Sequence, residues 1–308
     1  MSLCVGSDEV ELQLSPESGG SVLSLRRRNG PELLARRNWE NPVPSAQLLG
    51  GYGSTWADLH ADYDLAWREQ LPNSGAECHV DGVRHPFHGD VWAAPWEVRS
   101  TSASQVELTC DRLRLPLVVH RTVAVTGTQV EVTETVRNTV GETQRFCWGH
   151  HPVFPAGPST RLELAGGIVH AEDSSELRAA GLADAVTFPW PRYTSEDGST
   201  VDVSRIPDGP VERLLVVSDL QEPRVVIHGL PDDTSVELTW NGDVWPHLWV
   251  WVQVAGSGFP WYGRAAVMGV EPQSSPTTGG LAAGIDDGTA LVLAPHAELK
   301  SHLTLRIF

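Results

Sequence analysis

The chain has 308 residues and carries 39 acidic side chains against 22 Lys and Arg, a formal charge of -17. Such acidity repels phosphate backbones and anionic lipid headgroups and so excludes nucleic acid and membrane surfaces as natural partners. As a common solubility device it points to no particular substrate. The first fifteen residues lack the basic flank and apolar run of a secretory signal, and the longest apolar stretch, 248–255, is interrupted by Gln253 and falls short of the roughly 20 residues that span a bilayer. A soluble cytoplasmic protein is expected. The four cysteines, Cys4, Cys78, Cys110 and Cys147, are far apart and form no Cys-x-x-Cys pair, so buried free thiols are predicted rather than a metal or redox site.

In chain order, period-two alternation predicts half-buried strands over 10–14, 106–109 and 129–136. Ser18-Gly19-Gly20-Ser21 reads as the turn of a first hairpin, and Thr126-Gly127-Thr128 joins 121–125 to the strand that follows. Further strands are expected at 213–218, 224–228, 235–240, 248–254, 267–270 and 303–308. Helical signal is weak: 174–180 is the best candidate, 57–68 is ambiguous, and 171–210 reads as a long loop. These patterns predict an all-β class, a large antiparallel β-sandwich occupying 1–308 as a single domain, with an inner sheet curved into a cleft.

Three motifs carry candidate chemistry. Pro86-Phe87-His88-Gly89-Asp90 and Trp148-Gly149-His150-His151-Pro152-Val153-Phe154 supply imidazoles, and Gly269-Val270-Glu271-Pro272-Gln273 supplies a carboxylate. Together they offer a proton donor and acceptor, which is what opening and closing a sugar ring needs. In that order they resemble the aldose 1-epimerase (galactose mutarotase-like) superfamily, and the resemblance extends from the first hairpin to the last strand.

The resemblance implies a β-sandwich of the galactose mutarotase type and a cofactor-independent isomerase, with no metal or organic cofactor, that interconverts the α and β anomers of a free sugar. Glu271 stands at the place of the catalytic base, with Pro272 expected to end its strand as the carboxylate enters the cleft, and His151 at that of the catalytic acid. His88 corresponds to the histidine that bonds sugar hydroxyls. His150 takes a position often held by asparagine in relatives, which implies a hydrogen-bonding or orienting role. Val153 replaces a usual tyrosine. Arg68, just before the Phe-Pro-x-x-Gly-like segment Gln70-Leu71-Pro72-Asn73-Ser74-Gly75, is a candidate hydroxyl contact, and Glu212 stands where relatives grip two hydroxyls with Asp.

Twelve tryptophans are many for this length, and indole faces suit the C–H face of a pyranose. Trp92 and Trp148, beside the histidines, are the predicted platforms, whereas alternating Trp249 and Trp251 read as core. Relatives acting on hexose 6-phosphates carry an arginine after the His-Gly element, a guanidinium that matches phosphate. Trp92 stands there instead, so a neutral small-molecule carbohydrate is expected. Two other readings stay open: a non-catalytic carbohydrate-binding sandwich, and a metal-dependent sugar isomerase or cupin-like enzyme using His88, His150, His151 and Glu271. Against the second, adjacent strand residues point to opposite faces, which separates His150 from His151. The sequence is compatible with a homodimer and does not fix the oligomeric state.

Overall fold

A computed structural model describes residues 2–37, 64–179, 186–194 and 198–308. Alternating apolar residues along each strand leave one face to be covered, and two large antiparallel sheets meet that need by facing each other. The ten-stranded sheet runs, edge to edge, Leu3–Gly6, Val10–Ser15, Ser21–Arg27, Trp67–Gln70, Gly149–Pro155, Ala266–Gln273, His247–Val254, Val211–Ser218, Ile168–Ser174 and Val186–Pro189. The eight-stranded sheet runs Arg161–Glu163, Arg224–Leu230, Thr234–Trp240, Glu298–Ile307, Gln129–Asn138, Leu117–Thr126, Gln105–Cys110 and Glu97–Thr101. Their facing sides share a core in which Leu12, Leu14, Val119, Val130, Phe146, Val250, Val270 and Leu305 are buried.

Both predicted hairpins form. Val10–Ser15 pairs with Ser21–Arg27, and Leu117–Thr126 pairs with Gln129–Asn138 in the register Thr126↔Gln129. The expected strands from 213 onward lie inside observed ones, except that the last, 303–308, stops one residue short, at Ile307. Two expectations are corrected. The stretch 171–210 holds the helix Ser175–Ala179, where 174–180 was the best helical candidate, but it is otherwise no plain loop: it completes the strand Ile168–Ser174 and holds the strands Val186–Pro189, Arg192–Thr194 and Thr200–Asp202. Of the ambiguous stretch 57–68, the residues before 64 lie outside the described ones, and Trp67 and Arg68 begin the strand Trp67–Gln70. The helix Gly280–Asp286 was not anticipated; its Gly-Gly-Leu-Ala-Ala-Gly sequence gives little periodicity to read.

The centre of the ten-stranded sheet positions the chemistry. Gly149–Pro155 pairs with Ala266–Gln273 at Gly149↔Gln273 and again at Val153↔Gly269. Counting inward from either end sets His151 opposite Glu271, in a stretch where the pairing lapses. Prolines explain the lapse. Val153 donates its N–H to Ala66 on the far side and Ser274 donates its N–H to Trp148. Alternation therefore turns the nitrogens of Pro152 and Pro272, one residue before Val153 and two before Ser274, into the gap, where neither has a hydrogen to give. Pro272 does not end the strand, as the sequence suggests; the strand continues to Gln273.

The opposite face of these strands carries a buried charged network. Arg121 reaches across from the second sheet: its Nε donates to Glu134 Oε1 at 2.6 Å and its Nη2 to Glu69, while Trp148 Nε1 donates to Glu69 Oε1 at 2.6 Å. His150 Nε2 lies 2.9 Å from Glu134 Oε2, and Trp67 Nε1 donates to His150 Nδ1 at 3.3 Å. Burial, followed by the nearby Glu134, raises the Glu69 carboxyl to about 7. Burial raises Glu134 too, but attraction to His150 and Arg121 outweighs it and holds that group at about 2.

Arg121 is the guanidinium set between two buried carboxyls, so removing it leaves Glu69 without its ion-pair partner and Glu134 with His150 alone. Arg121→Met is expected to cost about 3–5 kcal/mol in urea denaturation, and Glu69→Gln, which deletes the charge least well compensated, to cost much less. Equal losses for the two variants would show that the network does not depend on the guanidinium.

Candidate active site

Residues at alternate positions on four central strands share the sheet face turned away from the core. Arg68 and Gln70 come from the first strand, Gly149, His151 and Val153 from the second, Gly269, Glu271 and Gln273 from the third, and Trp249 and Trp251 from the fourth. His151 Nε2 lies 3.2 Å from Glu271 Oε1. Glu271 is 2% exposed and His151 5%. Burial pushes the Glu271 carboxyl well above its ordinary range, opposed by a weaker pull from its hydrogen bond with Gln273.

His88 joins them from a loop. Its ring lies 5.4 Å from that of His151, 4.6 Å from Trp92 and 3.9 Å from Phe87. It holds a left-handed backbone conformation, φ 62°, a strained choice for a bulky residue, and strain of this kind gathers where surroundings over-determine a functional geometry. The backbone N–H of His88 donates to Gly75 at 3.1 Å, and its Nδ1 lies 2.9 Å from Gln70 Nε2.

The wall is aromatic. Trp92 meets His151 edge-on at 5.3 Å, Trp251 lies 6.0 Å from His151 on the other side, and Trp261 packs on Trp251 at 5.5 Å. Val153, Ala265 and Val267 close this apolar cluster from beneath. The structure thus draws Glu271, His151, His88 and Trp92 into one site, and Trp251 with them. Trp251 had read as core because alternation alone says which residues share a face, not which of the two faces is covered by the second sheet.

Two predicted contacts turn the other way. His150 and Trp148 face the core network, His150 against Glu134 and Trp67 and Trp148 against Glu69. Their place one and three residues before His151 requires this in a pleated strand. The metal set of His88, His150, His151 and Glu271 is therefore not assembled. Arg68 lies on the same face as His151, but its guanidinium is engaged: Nη1 donates to the Trp92 carbonyl at 2.7 Å and Nη2 to Asp64 Oδ1 at 2.8 Å, with the Trp92 ring 5.4 Å away. It holds Trp92 in place. Glu212 is half-buried on the same sheet face, two strands from Glu271, and its carboxylate accepts the N–H of Ser257 at 3.1 Å, tying down the loop that carries Trp261.

Sequence reasoning passed over Gln70 and Gln273. Their amides meet above Gly149, the residue paired with both in register. Gln273 Nε2 donates to Gln70 Oε1 and, at 3.4 Å, to Glu271 Oε2. A Cβ on Gly149 would lie 2.0 Å from Gln273 Oε1, and one on Gly269 would lie 2.5 Å from Glu271 Oε1. Both glycines clear space for side chains from their neighbours, and the signal was available in their spacing two residues before His151 and Glu271. A separate open cavity of about 470 Å³, lined by Ala156, Thr160, Gly229 and Asp232 among others, brings no acid and base together.

No family model matches the chain, and no curated protein matches it. Solved structures do. A candidate aldose 1-epimerase from Escherichia coli K12 superposes with a TM-score of 0.68 at 16% identity, covering 100% of this chain and 99% of that one. A galactose mutarotase related enzyme from Lactobacillus acidophilus gives 0.64 at 14%, covering 100% and 97%. A galactose mutarotase-like protein from Lactobacillus casei ATCC 334 gives 0.62 at 16%, covering 100% of both. The fold is the all-β sandwich of galactose mutarotase-like proteins.

Because the Gln273 amide fills the space over Gly149, Gly149→Ala is expected to push that amide off Gln70 and to cost about 1–3 kcal/mol, the range for overpacking. Denaturation gives the energy and a crystal structure of the variant the displacement; a variant of native stability with the amide pair intact would contradict this account.

Proposed function

We propose that this protein is a mutarotase that interconverts the α and β anomers of a neutral aldose, with Glu271 as general base and His151 as general acid. The observation that carries the reading is the 3.2 Å contact of His151 with Glu271, flanked by the rings of Trp92 and Trp251. Mutarotation moves protons at two oxygens bonded to the same carbon, the anomeric hydroxyl and the ring oxygen. An acid and a base within hydrogen-bond distance of each other can therefore serve both without moving.

Glu271 takes the hydroxyl proton as His151 Nε2–H protonates the ring oxygen, and the carbon–oxygen bond of the ring breaks to leave an open aldehyde. Rotation about the neighbouring bond presents the other face. The two proton transfers then run backwards. Across the opening step a carboxylate and an imidazolium become a carboxylic acid and a neutral imidazole. Burial disfavours the charged pair, so it brings the two stages closer in energy, which is the matching that general acid–base catalysis requires. Trp92, Trp251 and Trp261 offer apolar surface to the sugar's C–H bonds.

Two measurements test this. Glu271→Gln is expected to reduce anomer exchange, followed by polarimetry or NMR on freshly dissolved sugars, by about 10²–10⁴-fold. Because the active form is the carboxylate and its pKa is raised, the wild-type rate should fall on acidification with a limb above pH 4.5; retention of exchange in the variant, or a limb at an ordinary carboxylate value, would move the base elsewhere.

The substrate class follows from Arg68, whose guanidinium is held by Asp64 and the Trp92 carbonyl. With that cation engaged and a chain charge of -17, a phosphate dianion gains little. Glucose 6-phosphate is expected to compete in the exchange assay no better than glucose. Tight, salt-sensitive inhibition by the phosphate would assign the cleft to phosphosugars.

A further inference from the structure

The amides above Gly149 form part of a chain with a direction. Glu271, Gln273, Gln70 and His88 are linked in that order: Oε2 of Glu271 to Nε2 of Gln273 at 3.4 Å, the same Nε2 to Oε1 of Gln70, and Nε2 of Gln70 to Nδ1 of His88 at 2.9 Å. Each link constrains the next. An ionised carboxylate only accepts, so Gln273 must present its NH₂ end to Glu271. That end also faces Gln70, which must answer with its oxygen. The NH₂ of Gln70 is then the group against His88, and an amide nitrogen only donates, so the facing ring nitrogen carries no hydrogen.

The same orientation carries a visible cost. Gln273 Oε1 is buried with no hydrogen-bond partner, a cost for a polar atom. Turning the amide over would set that oxygen against the oxygens of both Glu271 and Gln70, so the unpartnered state is the lesser cost. Gln70 and Gln273 are themselves 0% exposed, which keeps bulk solvent from supplying alternative donors.

We infer that Gln70 and Gln273 are positioning residues that read the ionised state of Glu271 and fix His88 as the tautomer with its proton on Nε2. In that tautomer Nε2 is the donor of the His88 ring, a property suited to an oxygen that only accepts. The nature of that acceptor rests on the mutarotase reading; the tautomer is a property of the free protein.

Ring-nitrogen NMR on ¹⁵N-labelled free protein tests it, with His88 identified by the signals lost in His88→Phe. Wild type, above the titration of Glu271, should show a pyridine-like Nδ1 and a pyrrole-like Nε2 for His88. In Gln70→Glu a carboxylate replaces the donor, and Nδ1 should become pyrrole-like. Gln273→Met releases Gln70 while keeping bulk, and the two His88 nitrogen shifts should move toward each other as tautomers mix. A protonated Nδ1 in wild type, or ring shifts unaltered in both folded variants, overturns the inference. Anomer exchange on the same samples separates the two claims: a pinned tautomer without exchange leaves the relay standing and removes the mutarotase reading, and exchange with a protonated Nδ1 does the reverse.

Discussion

Cross-strand register is the constraint on which the rest of this molecule depends. The pairings Gly149↔Gln273 and Val153↔Gly269 bracket His151 and Glu271, residues remote in sequence, and hold them face to face across two adjacent strands. A slip of one residue would turn the whole set to the other side of the sheet. The prolines at 152 and 272 withdraw two N–H groups from this gap. A strand pair that gives up hydrogen bonds at its centre must be secured elsewhere, and here the neighbours do it: Trp67–Gln70 on one side and His247–Val254 on the other remain paired with the two strands.

The charged network on the reverse face secures the same strands from behind. Glu69 and His150 are cross-strand partners, and Arg121 and Glu134 from the second sheet bind both. The residues that the ten-stranded sheet contributes to this network sit next in sequence to ones on the face of His151 and Glu271: Glu69 lies between Arg68 and Gln70, and His150 beside His151. The pleat thus divides each motif into a half that enters the site and a half that anchors it. Buried ion networks of this kind give little net stability, and their best-attested use is to specify one arrangement among several. Here the arrangement specified is the spacing of the two sheets directly beneath the acid and the base.

Period-two alternation was enough to read the fold class, most of the strands and both hairpins, because half-buried antiparallel strands write their pattern plainly. The same pattern could not tell which face meets the second sheet, and that is why Trp148 and Trp251 exchanged expectations. Glu271, His151 and His88 stood out because imidazole and carboxylate groups are the ordinary carriers of protons. Gln70 and Gln273 did not, since an amide has no proton to exchange and its effect is visible only once its neighbours are known. Arg68 and Glu212 share a sheet face with Glu271, but their partners, Asp64, the Trp92 carbonyl and the Ser257 N–H, belong to loops, whose paths carry no periodic signal.

The glycine at 149 has a meaning for descent as well as for geometry. Its missing side chain is the volume that Gln273 fills from the next strand, so the two positions hold one quantity of space between them. A lineage that acquires a side chain at 149 must shorten the one at 273, and with it loses the bridge to Gln70. Change at either position therefore passes through an intermediate that is either crowded or hollow, and the pair is expected to drift together or not at all.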